Sequence, residues 1–132
     1  MCIEQNKALV RRLFDALSAG VEATSAIWPE IFAGQTCDYS NYAEFDATLL
    51  MAVPDMRFTI EELLADGDTV VARFTTHGTQ TGAFQGIPAT GVAATASGIA
   101  IYRLAGGKIV AQWLEYDRLG TLEQLGLIPV LG

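Results

Sequence analysis

The sequence predicts an α+β fold in which helices cover one face of a twisted antiparallel sheet. Two observations carry the prediction. Apolar residues recur at helical spacing through the N-terminal third and then switch to alternation at period two. The alternating segments are separated by tight glycine turns, so a run of helices is followed by a run of strands.

Ile3 to Ala19 reads as an amphipathic helix, with Leu9, Val10, Leu13, Phe14 and Leu17 on one stripe and Lys7, Arg11, Arg12 and Asp15 on the other. Gly20 stops it. A second helix is expected near Ala23 to Phe32, from the spacing of Ile27, Trp28, Ile31 and Phe32, with Pro29 in its first turn or at its end. Gly34 to Tyr42 is polar and turn-rich and gathers Asp38, Tyr39, Asn41 and Tyr42, either as a pocket mouth or as a surface loop with a helix cap. From Tyr42 to Ala52 a third helix presents Phe45, Leu49, Leu50 and Val53, until Pro54-Asp55 breaks it.

Met56, Phe58 and Ile60 then alternate with Arg57, Thr59 and Glu61 as a first strand. Asp66-Gly67-Asp68 is a hairpin signal feeding a longer strand from Thr69 to Gln80. Gly82 to Gly91 is a glycine-punctuated connection, Val92 to Leu104 a third strand, and Ala105-Gly106-Gly107 a second hairpin. The last stretch, Lys108 to Gly126, begins as a strand and ends in a short helix over Leu119, Leu122, Glu123 and Leu125. Regular alternation there puts Ile109, Ala111, Trp113, Glu115 and Asp117 on one face.

Composition narrows the function classes. At 132 residues the chain fits one domain with a sizeable core. Hydrophobic residues make up 51% and the mean hydropathy is +0.31, an excess suited to an internal apolar cavity or a subunit interface, so a homo-oligomer is expected. The net charge of −7 without any Lys or Arg run argues against nucleic acid. Cys2 and Cys37 suggest free thiols in a reducing compartment and no zinc site. No apolar run is long enough to span a bilayer and no signal peptide is evident, so a cytoplasmic protein is expected.

Two carboxylates ending an apolar, Trp-containing strand face are the leading candidates for chemistry. Desolvation raises a carboxyl pKa toward the range of a general base working near neutrality. Asp117 comes first, with a helix N-cap as its structural alternative. Glu115 comes second, with a salt bridge to Arg73 or Arg103 as its alternative. His77, the one histidine, is an accessory candidate. Trp113, Phe74, Phe84, Tyr102 and Met51 are candidate pocket walls, and Tyr39 a candidate at the mouth.

Val53 to Gly91 and Gly98 to Gly126 resemble the SnoaL-like polyketide cyclase family of the NTF2-like superfamily. The resemblance lies in Pro54-Asp55, the Gly67-Asp68-Thr69-Val70-Val71 strand, Gly86-Ile87-Pro88 with Thr90-Gly91, Tyr102-Arg103, and Trp113 four residues before Asp117. It implies a cone: a strongly curved sheet closed by the N-terminal helices around a deep apolar pocket. It also implies an aspartate on the last strand, here Asp117, acting as acid/base in an intramolecular aldol condensation with no metal or cofactor. The family's histidine after a Gly-Thr pair is replaced by Gln80, three positions beyond His77, so alternation allows only one of the two to see the pocket. The expected function is a cofactor-free cyclase acting on a small apolar carbonyl compound. A non-catalytic binding or dimerisation module, or an isomerase, dehydratase or epoxide hydrolase on the same fold, is the alternative.

Overall fold

The computed structural model describes residues 2–32, 47–84 and 86–129. Helix α1, Ile3–Ala19, lays Val10, Leu13, Phe14 and Leu17 into the core, as its apolar stripe predicts. At its start the Cys2 backbone N–H donates to Gln5 Oε1 at 3.2 Å, satisfying one orphan group of the first turn. Gly20, at φ 114°, turns the chain directly into α2, Val21–Ile31. Thr24 Oγ1 fixes that corner by donating to Gly20 O at 2.8 Å and Ala16 O at 3.0 Å. The second helix thus begins ahead of the expected Ala23, and Pro29 lies inside it near the C-terminal end, not in its first turn. So close to the end, the missing N–H removes a single helical bond. The exposed carbonyls of Pro29 and Glu30 are taken up by Lys108 Nζ, at 3.2 Å each. The described part of a third helix, α3, covers 47–52.

Four strands follow, β1 Arg57–Asp66, β2 Thr69–Thr79, β3 Ala93–Ala105 and β4 Lys108–Tyr116, paired antiparallel in the order β1-β2-β3-β4. Both predicted hairpins are two-residue turns, Gly67-Asp68 and Gly106-Gly107. Val70, Ala72, Phe74 and Thr76 of β2 and Ala96, Ala100, Tyr102 and Leu104 of β3 face the helices and are buried. Phe14 of α1 sits at the centre, its ring 5.2 Å from Phe74, 5.9 Å from Phe58 and 6.4 Å from Tyr102. A short helix, α4 Arg118–Gln124, closes the chain's path against β3.

Each edge strand carries an irregularity that reverses its alternation. On β1, Ile60 pairs with Phe74 and the next pair is Glu62 with Arg73, so Glu61 is extra. On β4, Ile109 pairs with Leu104 and the next pair is Ala111 with Arg103, so Val110 is extra. A bulge of this kind sends every later side chain to the opposite face. Ile109 is fully buried, yet beyond the bulge it is Gln112, Leu114 and Tyr116 that turn inward.

Candidate functional site

The interior between helices and sheet holds two adjoining cavities. The larger, about 100 Å³, lies between α3, the end of β2, the 80–92 connection, β3 and α4. Val53, Met56, Phe84, Val92 and Leu122 give it apolar walls. The smaller, about 50 Å³, lies deeper under α1, between Phe14, Phe58, Phe74, Tyr102 and Leu114. Leu49, Thr76 and Tyr116 line both. Polar residues are few: Thr76, Thr95, Thr121, Tyr102 and Tyr116 with their hydroxyls, Gln80 and Gln112 with their amides, and Arg118. The described lining residues include no carboxylate and no histidine.

The Val110 bulge decides where the carboxylate candidates go. Trp113 and Glu115, expected inside, are on the outer face; Trp113 is 48% exposed, with the Arg103 guanidinium 5.4 Å from its ring centroid. Glu115 has neither expected partner close by, since Arg73 pairs with Glu62 at 2.9 Å and Arg103 lies over Trp113. Asp117 is also exposed, and its carboxylate is the N-cap of α4, accepting from Gly120 N at 2.9 Å. It follows Tyr116 and precedes Arg118, both of which line the larger cavity. Asp117 itself lines neither cavity and is not part of an apolar strand face.

The choice between His77 and Gln80 falls to Gln80. His77 is on the outer face, in ladder register with Arg57 and Thr95, so it is corrected from accessory pocket residue to surface residue. Gln80 is buried in the wall of the larger cavity, but its amide is spent on the connection that forms the mouth. Its Nε2 donates to Pro88 O at 3.2 Å and its Oε1 accepts from Thr90 Oγ1 at 2.9 Å. Phe84 lines the larger cavity and Tyr102 the smaller. Met51 does not: it is 70% exposed on α3 and belongs to neither wall. Tyr39, with Asp38 and Tyr42, lies outside the described residues.

Sequence reading missed Thr76, Gln112 and Arg118 and left Tyr116 unplaced. A parity count along β4 finds Gln112 and Tyr116 only if the bulge is known. Among the described residues no group of three or more His, Cys, Asp or Glu side chains is placed to hold a metal ion, and no helix is long and apolar enough to cross a membrane.

A four-stranded antiparallel curved sheet with helices packed over an apolar cavity is the NTF2-like architecture. The sequence profile of the SnoaL-like polyketide cyclases matches residues 29–125, and the chain belongs to that family. Solved structures agree on the fold. AclR from Streptomyces galilaeus, which carries a provisional hydroxylase name, superposes with a TM-score of 0.86 at 21% identity, over 99% of this chain and 87% of its own. A provisionally named SnoaL-like polyketide cyclase from Jannaschia sp. CCS1 gives 0.84 at 24% identity, over 96% and 94%. TsrD from Streptomyces laurentii gives 0.79 at 27% identity, over 92% and 97%. No protein with a curated description matches the chain.

Proposed function

We propose that the chain works as one domain that takes an apolar carbonyl compound into the joined cavities and closes a carbon ring in it by acid/base catalysis. The observation that carries this reading is the cavity itself, apolar walls with a few hydroxyl and amide groups, which suits a polycyclic or ester substrate held by shape. Membership of the cyclase family supports the reaction class. In that reaction a base removes a proton from a carbon flanked by carbonyls, and the enolate carbon bonds to a second carbonyl carbon. The resulting alkoxide then takes the proton back.

Asp117 is proposed as that base. Among the described carboxylates it alone is flanked on both sides in sequence by residues lining the larger cavity. A second reading is a binding module without chemistry, favoured by the engagement of Asp117 as a helix cap. Asp117→Asn separates them, since asparagine caps as well as aspartate but cannot carry the proton. The test is turnover of aromatic β-keto esters by wild type and variant, with ligand binding measured in parallel. Binding by both and turnover by wild type alone supports the cyclase; binding by both and turnover by neither supports the module.

The outer sheet face supports the oligomeric part of the proposal. Leu64, Val71, Ile101 and Trp113 are consecutive cross-strand neighbours, one from each strand, and Ile99 lies in the next row, two residues along β3. We take a second copy of this chain to cover it, giving a dimer or tetramer. An exposed thiol at Cys2 fits a reducing, cytoplasmic setting.

A further inference from the structure

The two cavities meet at one polar point. Leu49, Thr76 and Tyr116 are their shared walls, and the Thr76 and Tyr116 hydroxyl oxygens are 3.2 Å apart there. The pair spans β3, from β2 on one side to β4 on the other. It meets because β3 offers only small residues beneath it: Thr76 is in register with Ala96, and Tyr116 with Gly98. Thr76 is 2% exposed, and its hydroxyl donates to the Ala96 carbonyl at 3.4 Å. Either hydroxyl can donate in the 3.2 Å contact; turned from the longer Ala96 bond to the Tyr116 oxygen, the Thr76 proton leaves the single Tyr116 proton free for a third group.

The geometry points to a two-lobed apolar substrate whose carbonyl oxygen sits at the junction of the two cavities and accepts a hydrogen bond from the Tyr116 hydroxyl. Thr76 is a positioning residue that aims this hydroxyl. The inference rests on the reading that the cavities take an apolar carbonyl compound. A hydroxyl among apolar walls polarises a carbonyl more strongly than one in water, because few other dipoles compete. Charge that gathers on the same oxygen as an enolate or alkoxide forms is stabilised by the same donor. This gives the interior an electrophilic group that requires no carboxylate inside it.

Two probes of one shape test the hydrogen bond: methyl β-naphthyl ketone, and β-ethylnaphthalene, which lacks the carbonyl. Their dissociation constants are measured on wild type and on Tyr116→Phe. The variant is expected to weaken the ketone by roughly 3- to 10-fold, the range of one hydrogen bond, and to leave the hydrocarbon unchanged. The ketone's carbonyl stretch should move to lower wavenumber on wild type and not on the variant. Thr76→Ser should keep the ketone's advantage and Thr76→Val should reduce it, as a positioning role requires. If both probes bind wild type and Tyr116→Phe changes them equally or not at all, the hydrogen bond is overturned while the cavity reading stands. If neither probe binds wild type, the cavity reading falls and this inference falls with it.

Discussion

The side-chain amide of Gln124 pairs with the backbone of Thr95 as a neighbouring strand would. Its Oε1 accepts from Thr95 N at 2.8 Å and its Nε2 donates to Thr95 O at 2.6 Å. The ladder between β3 and β4 ends at Tyr116, after which Asp117 N still donates to Ser97 O at 2.9 Å. Beyond that point β3 has an open edge, and the amide covers it. The same contact pins α4, which carries Thr121 and Leu122 of the larger cavity wall and is followed by Leu125.

Gln124→Leu removes both bonds, and with them the 3.2 Å bond from Nε2 to Gly120 O, with little change in volume. Because the site is exposed and water competes, stability should fall by about 1 kcal/mol in denaturant unfolding. Amide hydrogen exchange at Thr95 should accelerate. Undiminished protection of that amide would count against the clamp.

A second polar tie holds the same end of the sheet, at the last residue of β2. Asp55 Oδ1 accepts from the Thr79 N–H at 2.8 Å, and this bond holds the Asp55 carboxyl below its ordinary value of 3.8. A lowered folded pKa means stability that is present above the unfolded value and lost as pH falls through the folded one. Asp55→Asn keeps an acceptor but cannot titrate. The variant's stability should therefore fall less steeply below roughly pH 4 than that of wild type. Urea unfolding at a series of acid pH values checks this, and parallel curves would refute it.

The legible part of the fold was what local chemistry dictates. The stripe on α1, the stop at Gly20 and the two glycine hairpins each follow from a few adjacent residues. The candidate site was legible only where alternation held, as at Phe74 and Tyr102. On β4 one extra residue, Val110, reversed the faces of Trp113, Glu115 and Tyr116, and nothing in the local sequence marks it. Bulges are common at sheet edges, and this one follows Ile109, a residue held by contacts distant in sequence: it is buried in the core and bridges to Phe32. Alternation also put Asp117 on the strand face, but the strand ends one residue earlier, and the residue after a strand end is free to cap a helix, the alternative its residue type already offers.

Gly98 is held to glycine by close approach. A side-chain carbon there would lie 2.6 Å from Phe74 Cζ and 3.1 Å from the Glu115 carbonyl oxygen. The Phe74 ring cannot yield easily, being packed against Phe14 at 5.2 Å and Phe58 at 5.9 Å. Gly98→Ala should cost about 1–3 kcal/mol of stability by overpacking. Thermal unfolding measures it, and Gly98→Ala/Phe74→Leu should recover part of the loss if the ring is the obstacle.

The apolar row on the outer face gives the last prediction. Leu64 is 57% exposed, Ile101 36% and Trp113 48%, and the cross-strand register places Val71 between Leu64 and Ile101. Two residues along the strands, the neighbouring row is polar at both ends, with Glu62 bonded to Arg73 and Glu115 opposite Ile99. An apolar centre with a charged border is the pattern of a subunit contact. Ile101→Glu places a charge at the middle of the row while its side chain, on the outer face, leaves the core untouched. Sedimentation should show wild type associated and the variant shifted to monomer, with the fold retained by circular dichroism. A wild-type chain that sediments as a monomer at high concentration, or a variant that associates as before, would remove this face from the interface.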